Sequence, residues 1–406
     1  MYSGNVSNCN FTNNNASLGG VIYCGYCIVS NCDFNNNYAA LVGGAVYFSG
    51  NGDVSNCNFN NNYAALVGGA VYFSGNGDVS NCNFTNNTAS GGSGGAVLFA
   101  GNSSVTNCNF TNNTASGGSG GAAYFMLGGN VTNCNFADNN ASRGGAVYFN
   151  GTGEVTDCNF TNNQVSGSYP NGRGGAIYFN SNGNVADCYF VNNSASYDGG
   201  AVYFKDNGTV TDCNFEDNFA NDDGGAVYFS SNGDVSNCNF TNNSANVLGG
   251  AIRFHQDFSC TVENCNFINN TVESYGGAIY FGGRGNVADC NFINNKATDE
   301  GWGGAIVIID GTVSNCNFVN NTASDRGGGV YFYGDGNVTD CNFVNNTAEF
   351  AGAIGIWSYS NSRGNVKNCN FTNNKASMGG AIIMECGDVT DCNFEDNEES
   401  EYGGAV

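Results

Sequence analysis

The chain has 406 residues, 34 acidic against 10 basic side chains, a formal net charge of −24, and 62 Gly, 75 Asn, 20 Cys, one Pro and six Leu. So acidic a balance excludes the basic footprint that nucleic-acid binding needs, and six Leu with four Lys exclude helices of ordinary composition. With 41% hydrophobic residues, it is not a disordered polar tail either.

In chain order, Met1 to Asn5 shows no basic region followed by an apolar one, so no secretory signal is read there. The most apolar runs, 39–48 and 305–309, fall short of the roughly 18 residues of a spanning helix, and no membrane insertion is expected. From the first residues onward a single unit recurs: G-G-A-V-Y-F, a short Gly/Asn turn, V-S-N-C-N-F, then T-N-N-T-A-S. Residues 35–59 and 60–84 are identical throughout, the mark of a tandem duplication. The V-x-x-C-x-F core returns sixteen times at spacings of 23 to 30 that cluster at 25. No composition break interrupts it, so residues 1–406 read as one continuous repeat domain without a linker.

Each unit alternates apolar and polar residues over short runs rich in β-branched and aromatic types, with Gly/Asn clusters between them. Three short strands and three turns in about 25 residues make one coil of a parallel β-helix. The expected fold is all-β, a single-stranded parallel β-helix of about 16 coils. Stacking turns each repeat position into a row. Cys57, Cys82, Cys108, Cys134, Cys158, Cys188, Cys213 and Cys238 share one row, and Phe59, Phe84, Phe110, Phe136 and Phe160 share another two residues on, facing the same interior side. A second Phe row begins at Phe48 and Phe73. Its neighbours Tyr47, Tyr72, Tyr148, Tyr178, Tyr203 and Tyr228 read as outward, since Arg253 takes the same position in one coil. They are the candidate contact surface for a glycan or a protein, because rings with polar tips suit both. Asn pairs such as Asn61-Asn62 and Asn86-Asn87 suit left-handed turns and amide ladders, and Gly43-Gly44 a positive-φ corner.

The residues now carry a resemblance. G-G-A-I/V with F-x-x-N, as in Gly69-Ala70-Val71 and Phe84-Thr85-Asn86-Asn87, resembles the repeats of chlamydial polymorphic outer-membrane proteins. The fuller V-S-N-C-N-F-T-N-N-T-A-S is more similar still to large adhesin-like surface proteins of methanogenic archaea. The resemblance spans essentially the whole chain as repeats. It implies a right-handed β-helix at the cell surface or outside the cell, engaged in adhesion to a host or neighbouring cell.

The cysteine row does not read as disulfides. Coils stack about 4.8 Å apart with parallel side chains, whereas bridged Cβ atoms converge to about 3.8 Å. Buried reduced thiols acting as small hydrophobes are expected. Cys24, Cys27, Cys260 and Cys386 lie off the row; Cys24-Gly25-Tyr26-Cys27 is formally C-x-x-C, with a local disulfide and free thiols both open.

A repeated residue is structural by default, so chemistry is sought where the repeat breaks. Breaks occur at the insertion 165–173, at Arg253-Phe254-His255 with Asp257, and at Trp357, Tyr359 and Arg363. Arg253, His255 and Asp257 share a strand face as a polysaccharide lyase or hydrolase site would require, and this is the rival to a non-enzymatic reading. Asp157, Asp187 and Asp212 follow one another coil by coil and make Ca2+ a candidate ion; no other cofactor is implied.

Both ends continue the repeat without polar caps, through Tyr2 and Val6 at one end and Gly403, Gly404 and Val406 at the other. Either the chain is a slice of a longer surface protein, or copies stack head to tail into a filament. Residues 1–130 hold three acids and no Lys or Arg, whereas 385–401 hold eight acids and no base.

Overall fold

The computed structural model describes residues 2–255, 259–357 and 362–406, with the backbone alone at 400–402. Every regular element among the described residues is a β-strand. Among the described residues no helix is long and apolar enough to cross a membrane. The chain divides into two compact units, Met1–Asn207 and Gly208–Val406.

In the first unit one coil consists of Val46–Phe48, Gly52–Ser55, Asn58–Asn60 and Tyr63–Ala64. The next coil lies parallel on it in full register, pairing Phe48 with Phe73, Val54 with Val79, Phe59 with Phe84 and Ala64 with Ala89. Eight coils repeat this arrangement in the first unit and eight more in the second, each unit a parallel β-solenoid. The fold class follows the repeat.

Local chemistry makes the corners. Asn56 and Asn61 take φ of 52° and 55°, and their equivalents do the same at almost every coil. Asn and Asp tolerate this left-handed region better than other residues with a Cβ. Gly43 provides the remaining corner at φ 62°. Gly52 serves a different need: a Cβ there would stand 2.2 Å from the Phe48 ring, so glycine leaves room for the ring under the strand, although Ser103 takes the same place beside Phe99.

Between the corners the rows fill the interior. Phe34, Phe59, Phe84 and Phe110 stack almost parallel with centroids 4.6 to 4.8 Å apart, and all are fully buried. Burial of a Phe side chain is worth about 1.5–3 kcal/mol, so these rows dominate stabilisation. The two asparagines of each pair separate in role. The first makes the turn, while the second is buried and hydrogen-bonds both up and down its unit.

Candidate functional site

The cysteine row is internal. The Cys57 thiol donates to the Ser55 carbonyl at 3.2 Å, and the Cys57 N–H donates to the Cys82 sulfur at 3.4 Å. The same pair of bonds recurs at Cys108 and Cys134. Each sulfur therefore donates and accepts without leaving the interior, and Cys158, Cys188, Cys213 and Cys238 are likewise buried thiols outside any disulfide. Off the row, Cys24 and Cys27 are joined as a disulfide, whereas Cys260 is free and buried and Cys386 free and exposed. Burial pushes the Cys260 thiol up to about 11.

The tyrosine row is not the open face that its sequence position suggested. Tyr178 and Tyr203 are 5% and 3% exposed, and Tyr148 and Tyr228 are also buried. The cause is a second row, formed by the residue that precedes each Gly-Gly corner. There Ser119, Arg143 and Arg173 bridge coil to coil. The Arg173 guanidinium lies 5.2 Å over the Tyr203 ring and is tied to Asp198 at 2.7 Å. Burial raises the pKa of the Tyr148 phenol, which lies beside Arg143. Tyr228 bonds through its hydroxyl to His255 Nδ1 at 3.0 Å. Arg253, read as outward and accessible, is buried too.

In the first three coils the covering row is aliphatic and short. Leu18, Val42 and Val67 occupy it in register. Beside them Tyr23, Tyr47 and Tyr72 pack with centroids 5.1 and 5.2 Å apart, the first pair edge to face and the second tilted, Tyr23 being 49% exposed and the other two half-buried. Three tyrosines and three aliphatic side chains thus form an accessible strip in the first unit.

The first unit also carries a polar trough of about 570 Å3 on the next strand. Asp78, Ser104, Asn130, Glu154 and Asn184 follow one another in register along it. Its two carboxylates, Asp78 and Glu154, are three coils apart, about 14 Å at the strand spacing of a sheet. Glycoside hydrolysis needs carboxyls about 5–9.5 Å apart.

Two residues of the lyase-like constellation, Arg253 and His255, make structural bonds. Arg253 pairs with Asp223 at 3.4 Å, donates to the Phe254 carbonyl and lies 4.4 Å over the Tyr280 ring. His255 is exposed beside Tyr228, and Asp257 lies outside the described residues. Tyr359 also lies outside them; Trp357 is exposed, with Arg326 stacked 5.0 Å from its ring. Asp157, Asp187 and Asp212 occupy exposed left-handed corners, and no cluster of three or more ligating side chains occurs among the described residues. Of the terminal residues, Tyr2 and Val406 are exposed and Val6 is half-buried.

The second unit adds what the repeat did not announce. Tyr275, Trp302 and Arg326 follow one another in the covering row. Trp302 stacks on Tyr275 at 4.6 Å, takes Arg326 at 4.9 Å, and donates its indole N–H to Asp325 at 2.7 Å. The available signal was the Tyr and Trp directly before Gly-Gly in successive coils, where most other coils carry Leu, Val, Ser, Arg or Asp.

A family model described as Right handed beta helix region matches residues 69–221, 145–322 and 304–404. No curated protein and no solved structure gave a match.

Proposed function

We propose that this chain, which belongs to the right-handed β-helix family, is an extracellular structural and adhesive element of a cell surface. The family includes both enzymes and structural proteins. The observation that carries the reading is the strip of Tyr23, Tyr47 and Tyr72 beside Leu18, Val42 and Val67, an accessible apolar and aromatic surface on a stiff scaffold. Contiguous surfaces of this kind mark contact sites. The ligand is a glycan or protein of a host or neighbouring cell. The repeats' resemblance to adhesin-like proteins supports the same reading, and so does the use of Arg253 in a buried ion pair.

Head-to-tail contact between copies belongs to this proposal. Coils that pair in register within the chain, as Phe59 does with Phe84, offer the same edge geometry between copies. Ca2+ bound between acidic corners is the ion this assembly would use.

Beads coated with the chain test the adhesive reading. Retention on cells or glycans is expected, with severalfold loss when Tyr23, Tyr47 and Tyr72 are all changed to Ser. Retention indifferent to that change overturns the strip as the contact surface. Electron microscopy with and without chelator tests assembly, and dispersed single subunits in both conditions exclude it.

A further inference from the structure

Three rows depart from the repeat in the same coils of the second unit, and all three departures face one cavity. In the tyrosine row Tyr280 is followed by Val307 and then Tyr331. Where tyrosines adjoin along that row, as Tyr148, Tyr178 and Tyr203 do, their rings stack about 5 Å apart, at 5.0 and 4.9 Å. Val307 therefore omits one ring and leaves a recess of about 290 Å3. Tyr275 and Trp302 from the covering row form one side, and Ile309 and Tyr333, just beyond the second Phe row, form the other. The Tyr333 ring lies nearly parallel to Trp302 at 6.1 Å.

Four aromatic rings thus surround an aliphatic floor of Val307 and Ile309. The indole N–H of Trp302 already donates to Asp325, which leaves phenol hydroxyls as the polar groups of the lining. That is a poor match for a sugar, whose many hydroxyls need partners. It matches a cation that has no N–H to satisfy. The outer rings already accept cations: Arg253 stands 4.4 Å from Tyr280 and Arg326 4.9 Å from Trp302, each held by a carboxylate, Asp223 and Asp325. The surrounding field favours positive charge, since residues 208–406 carry 25 acids against seven Lys and Arg. Aromatic rings and an acidic surround together recognise alkylated ammonium groups.

We propose that the recess between Tyr275, Tyr280, Trp302 and Tyr333 binds a methylated organic cation, a trimethylammonium group. The site is independent of the adhesive reading and of the Tyr23 strip. Titration calorimetry or NMR on the full chain tests it with tetramethylammonium and choline, beside choline's uncharged isostere 3,3-dimethyl-1-butanol and methyl glucoside. Saturable binding of both cations is expected, with the isostere at least about tenfold weaker. Val307→Tyr restores the repeat residue and fills the recess. Tyr333→Ala removes a half-exposed wall. Each should abolish binding while the far-UV spectrum stays unchanged, and Tyr333→Ala answers the question if Val307→Tyr does not fold. Equal binding of the isostere, preference for the glucoside, no binding of either cation, or cation binding unchanged in the folded variants overturns the proposal.

Discussion

The backbone N–H and the side-chain Nδ2 of Asn62 both donate to the same acceptor, Oδ1 of Asn87, at 3.0 Å each. Asn87 in turn donates from its backbone N–H and its Nδ2 to Asn113, and from Nδ2 to the Phe59 carbonyl at 2.9 Å. One buried amide therefore ties the coil before it to the coil after it.

Asn87→Ala should destabilise its unit by about 3–5 kcal/mol, because several buried groups lose partners at once. Asn86→Ala, at an exposed corner with φ 55°, should cost only about 1–2 kcal/mol. Repeat arrays unfold in parts, so hydrogen exchange across residues 60–115 is the appropriate readout. Equal effects would contradict the division of labour within the Asn pair.

Asp223→Ala leaves Arg253 buried without its carboxylate and should cost about 3–5 kcal/mol. His255→Ala, at an exposed position, should cost less than about 1 kcal/mol. Thermal unfolding of both variants checks this. The reverse order would return the Arg253 region to the enzymatic reading.

Cys260 gives a pH dependence with a definite sign. Its thiol titrates at 9.0 when unperturbed and near 11 in the fold, raised by burial. Between those values the unfolded chain has lost the proton and the folded one keeps it, so stability falls as pH rises from about 9 to 11. The contribution is roughly 2–3 kcal/mol. It is fully present below pH 9. Cys260→Val should make that alkaline limb shallower in urea titrations, the raised row thiols keeping the rest, and an unchanged limb would contradict the burial.

Ring and thiol accessibility follow the same map. Nitration should mark Tyr23 and Tyr26, which are 49% and 53% exposed, and spare Tyr178 and Tyr203 until unfolding. A mild alkylating agent should label Cys386 before any buried thiol of the row. Peptide mass spectrometry reads both.

Rows that repeat are legible in the sequence itself, because a residue returning every 25 positions must occupy the same place in every coil. The Phe59 and Cys57 rows, the Asn56 and Asn61 corners and the Gly43 corner belong to this class. The covering row is not legible in this way. It includes Leu18, Val42, Arg143 and Arg173 in the first unit and Tyr275 and Trp302 in the second, and what it does depends on side-chain length. Valine leaves Tyr47 accessible, whereas arginine folds across Tyr203 and closes it. Alternation along a strand tells which side of the sheet a tyrosine takes, but not whether a neighbouring corner covers that side. For the same reason the recess beside Val307 is invisible to periodicity: it arises from a ring that is missing.

The most direct test of an adhesive, non-enzymatic role incubates the purified chain with a panel of polysaccharides and intact cells, measuring retention and newly formed chain ends in the same samples. Retention that weakens when Tyr23, Tyr47 and Tyr72 are replaced by Ser is expected, with no new ends. New ends that disappear in His255→Ala, or retention by no surface at all, would contradict that role.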